Sequence, residues 1–163
     1  MATPVRGRGY TFGRGLPRNI NAFQSSMRVF TYGSLMYRQV WDRVVSGAHE
    51  AENGTIRGYA RRRILSEVYP ALLRGPSEST VRGVLYLDVS ASDLAALDRF
   101  EGEGDAYLRI QVPVELDDGK LLNAWTYLYL HPERVEGSLW DAERFEAEDL
   151  HHFLNTYCRD RAR

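Results

Sequence analysis

The stretch Phe30-Thr31-Tyr32-Gly33-Ser34-Leu35-Met36 decides how this chain is read. Arg28 to Tyr32 is rich in β-branched and aromatic residues, which predicts a strand. Gly33 then permits an abrupt change of direction, because it has no Cβ to collide with its surroundings. From Tyr37 to Val45 the residues Val40, Trp41, Val44 and Val45 recur at spacings of three and four. That period predicts a short helix with one apolar face, stopped near Gly47. Amides that leave a strand through a glycine turn and enter a helix can converge on an anion. An ordinary strand-to-helix turn carries the same pattern.

Working outward, Thr55 to Leu65 reads as one strand with Gly58 inside it. Its basic triplet Arg61-Arg62-Arg63 reads as a solvated face or sheet edge, or else as a contact for an anionic substrate. Pro70 rules out a helix interior at Tyr69-Pro70-Ala71. Val81 to Tyr86 is a strand buried at least in part on both faces. Ser90 and Asp93 fit the Ser-x-x-acid start of a helix, predicted from Asp93 to about Phe100 and ended by Gly102 and Gly104. Tyr107 to Leu116 and Leu121 to Leu130 are strands joined at Asp117-Asp118-Gly119-Lys120, since Asp-Gly tolerates positive φ. A last helix, about Asp141 to Tyr157, gathers Phe145, Leu150, Phe153, Leu154 and Tyr157 near one face. Strands outnumber helices and one hairpin is antiparallel. The fold class is therefore α+β, with a mixed or mostly antiparallel sheet that can close into a barrel.

The 163 residues suit one domain, here residues 27–163, preceded by a flexible basic tail, residues 1–26. That tail holds Arg6-Gly7-Arg8-Gly9 and Gly13-Arg14-Gly15 and no acidic residue. It reads as an extension upstream of Met27, as an organellar targeting peptide, or as a weak RNA contact. A formal net charge of −1 supplies no general field for nucleic acid or an anionic membrane. No apolar run approaches the roughly 20 residues of a membrane span. The single cysteine, Cys158, cannot form an internal disulfide, so the expected location is the reducing cytoplasm.

Phosphate-binding, dinucleotide-binding and nucleophile-elbow motifs are all missing. His151 and His152 are adjacent and cannot form the i, i+4 clamp of a zinc helix, so no metal is expected. His49 and His131 read as loop residues. What remains beside the glycine turn is Leu97-Asp98-Arg99-Phe100-Glu101-Gly102, which ends a helix on a carboxylate. A helix C-terminus is unfavourable for negative charge, and with burial it raises the pKa of an acid placed there. A proton-transfer catalyst needs such a shift. An exposed acid at a helix end gives the same sequence.

Five short motifs occur in order between Met27 and Leu130: Tyr32-Gly33-Ser34-Leu35, Tyr69-Pro70-Ala71, Val81-x-Gly83-x-Leu85-Tyr86, Leu97-Asp98-x-Phe100-Glu101-Gly102 and Tyr107-x-Arg109. Together they resemble the gamma-glutamylcyclotransferase-like superfamily, in particular its gamma-glutamylamine cyclotransferase or AIG2-like branch. The resemblance implies a small, mixed, mostly antiparallel β-barrel with flanking helices and a cavity at one end. It implies that Glu101 is the general acid/base and that Tyr32, Gly33, Ser34, Leu35 and Met36 hold a glutamyl group. Tyr107, Arg109 and Tyr127 would line or brace the cavity, and Asp98 would be structural. Glu103 and Asp105, which make the segment after Glu101 acidic, read as solvated. The implied reaction releases 5-oxoproline from a small-molecule gamma-glutamyl substrate, with no metal or organic cofactor. The expected assembly is a monomer or weak homodimer, without nucleic-acid or membrane partners. The rival reading is a non-catalytic module that binds a small carboxylate in the same cavity.

Overall fold

The computed structural model describes residues 26–158. The reading of residues 1–26 as a tail therefore falls, but for its last residue, outside the described residues. Five strands close into a barrel in the order β1 (Met27–Thr31), β5 (Thr80–Val89), β2 (Ala51–Arg57), β6 (Tyr107–Leu116), β7 (Leu121–Tyr129). Four of the pairings are antiparallel. The barrel shuts where β1 runs parallel to β7, with Val29 opposite Trp125. A second sheet has the order β4 (Pro70–Arg74), β3 (Tyr59–Ile64), β8 (Val135–Leu139). The helices are α1 (Arg38–Val44), α2 (Ala91–Glu101), α3 (Ala142–Arg144) and α4 (Leu150–Tyr157). Among the described residues no helix is long and apolar enough to cross a membrane.

The period of two along each strand divides the core. Phe30, Ile56, Leu85, Val112 and Val114 pack together in one buried cluster. Their sequence neighbours Val29 and Tyr86 belong to a second cluster, with Trp41 from α1, Leu97 from α2 and Phe153 from α4. Trp41 stacks on Tyr86 with ring centroids 3.6 Å apart, which fixes α1 against β5. At Gly83 the backbone of β5 lies tight against β1. A Cβ there would lie 2.1 Å from the Thr31 carbonyl oxygen and 2.7 Å from the Phe30 ring.

Several expectations change in detail. Thr55 to Leu65 is not one strand. Gly58 has φ +81° and divides it into β2 and β3, which belong to different sheets. β8, unforeseen, is short and only partly buried, so it carries little apolar pattern. The last helix is not continuous, because Phe145–Asp149 makes one π-helical turn between α3 and α4. Asp93 does not close a reciprocal cap with Ser90. Its amide does donate to the Ser90 hydroxyl, at 3.1 Å. Its carboxylate instead accepts from the Ser46 amide at 2.8 Å and pairs with His49 Nε2 at 3.0 Å. His49 is thus a loop residue, as expected, but a buried one.

Gly83→Ala should destabilise the barrel by about 3 kcal/mol, the upper range for overpacking a tight site, because backbone oxygen cannot retreat as a side chain can. Urea unfolding of parent and variant measures this, and equal midpoints would contradict the close approach.

Candidate active site

Helix α2 delivers Glu101. Its start is capped by Ser90 and its end is set by Gly102, which has φ 65° and ψ 50°. A left-handed residue stops a helix at little cost only if it is glycine. Glu101 is therefore the last helical residue, and its side chain meets a cavity of about 330 Å³. That volume lies at the small end of ligand pockets. As a whole residue Glu101 is half-buried, because part of its surface faces the cavity. Its carboxyl is nonetheless far enough from bulk water that burial pushes its pKa up to about 8. Among the described residues no ion pair offsets that burial.

Another part of the wall comes from the turn after β1. Ser34–Met36 forms a single 3₁₀ turn, in which Met36 N donates to Gly33 O at 3.0 Å and Tyr37 N to Ser34 O at 3.2 Å. The amides of Gly33, Ser34 and Leu35 donate to no protein acceptor among the described residues, and all three residues line the cavity. Glycine is required at position 33 by crowding, since a Cβ would lie 2.8 Å from the Pro70 ring carbons. Tyr86 steadies the turn from below by donating its hydroxyl to Leu35 O at 3.1 Å. Arg61 donates to Tyr32 O at 2.9 Å and lies over the Trp140 ring, 5.1 Å from its centroid. This corrects the reading of the whole basic triplet as solvated.

Tyrosines complete the walls. Tyr32 donates its hydroxyl to Tyr127 O at 2.7 Å, Tyr107 to Pro70 O at 2.9 Å and Tyr127 to Asp98 Oδ1 at 2.7 Å. Burial pushes all three phenols well above the ordinary tyrosine range, and the charge of Glu101 adds to each shift. They stay neutral, with their protons committed elsewhere; the Tyr32 oxygen accepts from the Leu72 amide, which leaves the oxygens of Tyr107 and Tyr127 as acceptors.

The structure thus brings Tyr32, Gly33, Ser34, Leu35, Glu101, Tyr107 and Tyr127 to one cavity. Met36 and Arg109 do not line it. Met36 offers its carbonyl to Tyr86 instead, at 3.3 Å. Arg109 pairs with Asp98 at 2.8 Å and covers the Trp125 ring at 4.7 Å, bracing α2 against the barrel. Glu103 and Asp105 are exposed. The sequence reading missed Tyr69, Phe100, Phe153 and Tyr157 as cavity residues. Their apolar spacing signalled only a core face. Among the described residues no three His, Cys, Asp or Glu side chains are placed to hold one metal ion.

The fold and site define the class: a closed five-stranded β-barrel whose cavity is lined by both the acid at the end of α2 and the turn after β1. The family model described as gamma-glutamyl cyclotransferase, AIG2-like, matches residues 29–147, and the chain belongs to that family. AIG2-like protein D of Arabidopsis thaliana is 29% identical over 129 residues, covering 77% of this chain and 83% of the relative. A putative gamma-glutamylcyclotransferase of Methanocaldococcus jannaschii is 29% identical over 101 residues, covering 62% of this chain and 82% of its own. A solution structure from Arabidopsis thaliana superposes with a TM-score of 0.63 at 25% identity, over 81% of this chain and 79% of that one. A solved gamma-glutamyl cyclotransferase shares the fold, with a TM-score of 0.58 at 21% identity, over 68% of this chain and 69% of that one.

The raised pKa has a consequence for stability. An unfolded glutamate loses its proton near 4.5, whereas folded Glu101 keeps it to about 8. Its contribution is therefore fully present below pH 4.5 and is lost as pH rises to about 8. Glu101→Gln removes this loss. Its melting temperature should exceed the parent's by a margin that grows between pH 5 and 8. A margin independent of pH would contradict the buried carboxyl.

Proposed function

We propose that this protein is a cyclotransferase that releases 5-oxoproline from a gamma-glutamyl compound, with Glu101 as its general acid/base. The observation that carries the reading is a carboxyl, pushed up to about 8 by burial, in the same cavity as three amides that lack acceptors among the described residues. A gamma-glutamyl substrate contains its own nucleophile, the α-amine. That nitrogen attacks the side-chain carbonyl carbon, a new C–N bond closes the five-membered ring, and the original amide C–N bond breaks. The α-ammonium gives one proton to Glu101 before attack and loses a second as the ring closes; both pass to the departing nitrogen, Glu101 serving as the relay, so the amine leaves as an ammonium and no proton is gained or lost overall. Because both reacting groups belong to one molecule, the protein's chief task is to hold the folded conformer.

The cavity suits that task. The amides of Gly33, Ser34 and Leu35 supply donors for anionic oxygen, either the α-carboxylate or the carbonyl oxygen as charge develops on it. The oxygens of Tyr107 and Tyr127, whose protons are given away, are acceptors for the ammonium. A pKa near 8 matches Glu101 to an amine better than an ordinary glutamate would be matched. A binding module for a small carboxylate has no use for a second acid facing its ligand, so Glu101 favours the enzyme.

Incubation with a set of gamma-glutamyl compounds and direct detection of 5-oxoproline tests the proposal. Glu101→Gln should lower turnover by roughly 10²–10⁴-fold, the usual worth of a general acid/base. In the parent, kcat/KM should rise with pH through about 8, as the free enzyme's carboxyl ionises. Parent-level turnover in the variant would remove Glu101 from the reaction.

A further inference from the structure

Arg61 stands on β3, in the second sheet, yet its guanidinium reaches the barrel. Its Nη1 donates to Tyr32 O, just past the end of β1, at 2.9 Å, and more weakly to Arg82 O of β5 at 3.4 Å. Its neighbours Arg62 and Arg63 turn to β8, where they meet Gly137 O at 3.2 Å and Glu136 at 3.7 Å. The Arg61 head also lies 5.1 Å from the centroid of the buried Trp140 ring, whose Nε1 is tied to Val68 O at 2.7 Å. Among the described residues no carboxylate forms an ion pair with Arg61. Burial lowers its pKa, but an arginine keeps its charge. A cation drawn partly out of water without a counter-ion is unfavourable unless other groups receive its charge.

The main receiver is a peptide unit of the glycine turn. Tyr32 O and Gly33 N belong to the same unit, and among the described residues no peptide bond is cis. In a trans peptide the N–H points opposite to the C=O, so the Gly33 N–H points away from Arg61. Gly33 N has no acceptor among the described residues, and Tyr32 and Gly33 line the cavity, whereas Arg61 does not. A cation at the carbonyl oxygen draws electrons through the conjugated amide and leaves its N–H more positive. The other two cavity amides are backed differently. The unit of Ser34 N accepts, at Gly33 O, from the neutral amide of Met36 at 3.0 Å, and the unit of Leu35 N accepts, at Ser34 O, from that of Tyr37 at 3.2 Å.

We propose that Arg61 is a positioning residue for the turn: across the Tyr32–Gly33 peptide its charge makes the Gly33 N–H the strongest of the cavity amides toward an anionic oxygen. This rests on the cyclotransferase reading above, and it extends the site to a side chain behind the cavity wall. Positive charge reaches the ligand without a cation beside Glu101, whose carboxyl an ion pair would lock in its charged form.

Nitrogen-15 NMR and calorimetric titration of the parent, Arg61→Met and Arg61→Lys test the proposal. In Arg61→Met the Gly33 amide proton and nitrogen should move upfield, further than those of Ser34 and Leu35, and Arg61→Lys should recover much of the displacement. Affinity for 5-oxoproline should fall about tenfold in Arg61→Met and about threefold or less in Arg61→Lys, the scale of one charge-assisted hydrogen bond. Affinity for the neutral 5-oxoprolinamide should stay within about twofold of the parent's in both, because an uncharged oxygen gains less from such a donor. An arginine that merely held the turn in shape would weaken both ligands alike. Equal losses for the acid and the amide, or a Gly33 amide resonance that stays in place, would overturn the proposal. Arg61→Gln makes the same comparison should Arg61→Met fail to fold. Failure of the parent to bind 5-oxoproline would instead overturn the reading of the turn as the glutamyl site, and the Gly33 resonance would still decide the role of Arg61.

Discussion

The site depends on one constraint: a carboxyl is held out of bulk water, and no cation among the described residues pairs with it. Burial alone accounts for the elevated pKa of Glu101. A carboxylate placed beside an arginine would be locked in its charged form and useless for exchanging a proton near neutrality. Arg109, on β6, is taken up by Asp98, three residues before Glu101 on the same helix. Asp98 thereby ties α2 to β6 and β7 through Arg109 and Tyr127.

The glycine turn is held with equal care. Pro70 fills the space that a side chain at position 33 would need, and Tyr107 donates to the carbonyl of that same proline. Arg61 and Tyr86 grip the carbonyls of Tyr32 and Leu35. The carbonyls are anchored, while the amides of Gly33, Ser34 and Leu35, at the cavity wall, have no acceptor among the described residues. Donors fixed in this way reorganise little when charge appears before them, which is what makes such donors effective.

Local chemistry made much of this legible in the sequence. The Asp-Gly hairpin, the Ser90 cap and the Gly102 stop are short-range signals, and the elements they bound stand close to where the residues placed them. The two glycine-linked features, at Gly33 and at Glu101-Gly102, were legible as candidates because sharp turns and helix ends limit which residues fit. Barrel closure was not readable from pattern alone, since the parallel contact of β1 with β7 joins strands far apart in sequence. The division at Gly58 was hidden because one glycine inside a β-rich run reads as a flaw in a strand rather than a change of sheet. Arg61 looked solvated because sequence shows a charge but not the Tyr32 carbonyl and Trp140 ring that receive it. The cavity rings Phe100, Phe153 and Tyr157 escaped notice for a similar reason: a helix face rich in rings looks the same whether it covers a core or a cavity.

The ionisation of Glu101 governs the site, and it can be observed without any substrate. Carbon-13 NMR of protein labelled at glutamate carboxyls, with Glu101→Gln used to assign the resonance, follows it directly. The account predicts a carboxyl carbon that titrates near pH 8 in the unliganded protein and is missing from the variant's spectrum. A Glu101 resonance that titrates near 4.5, like an exposed glutamate, would contradict it.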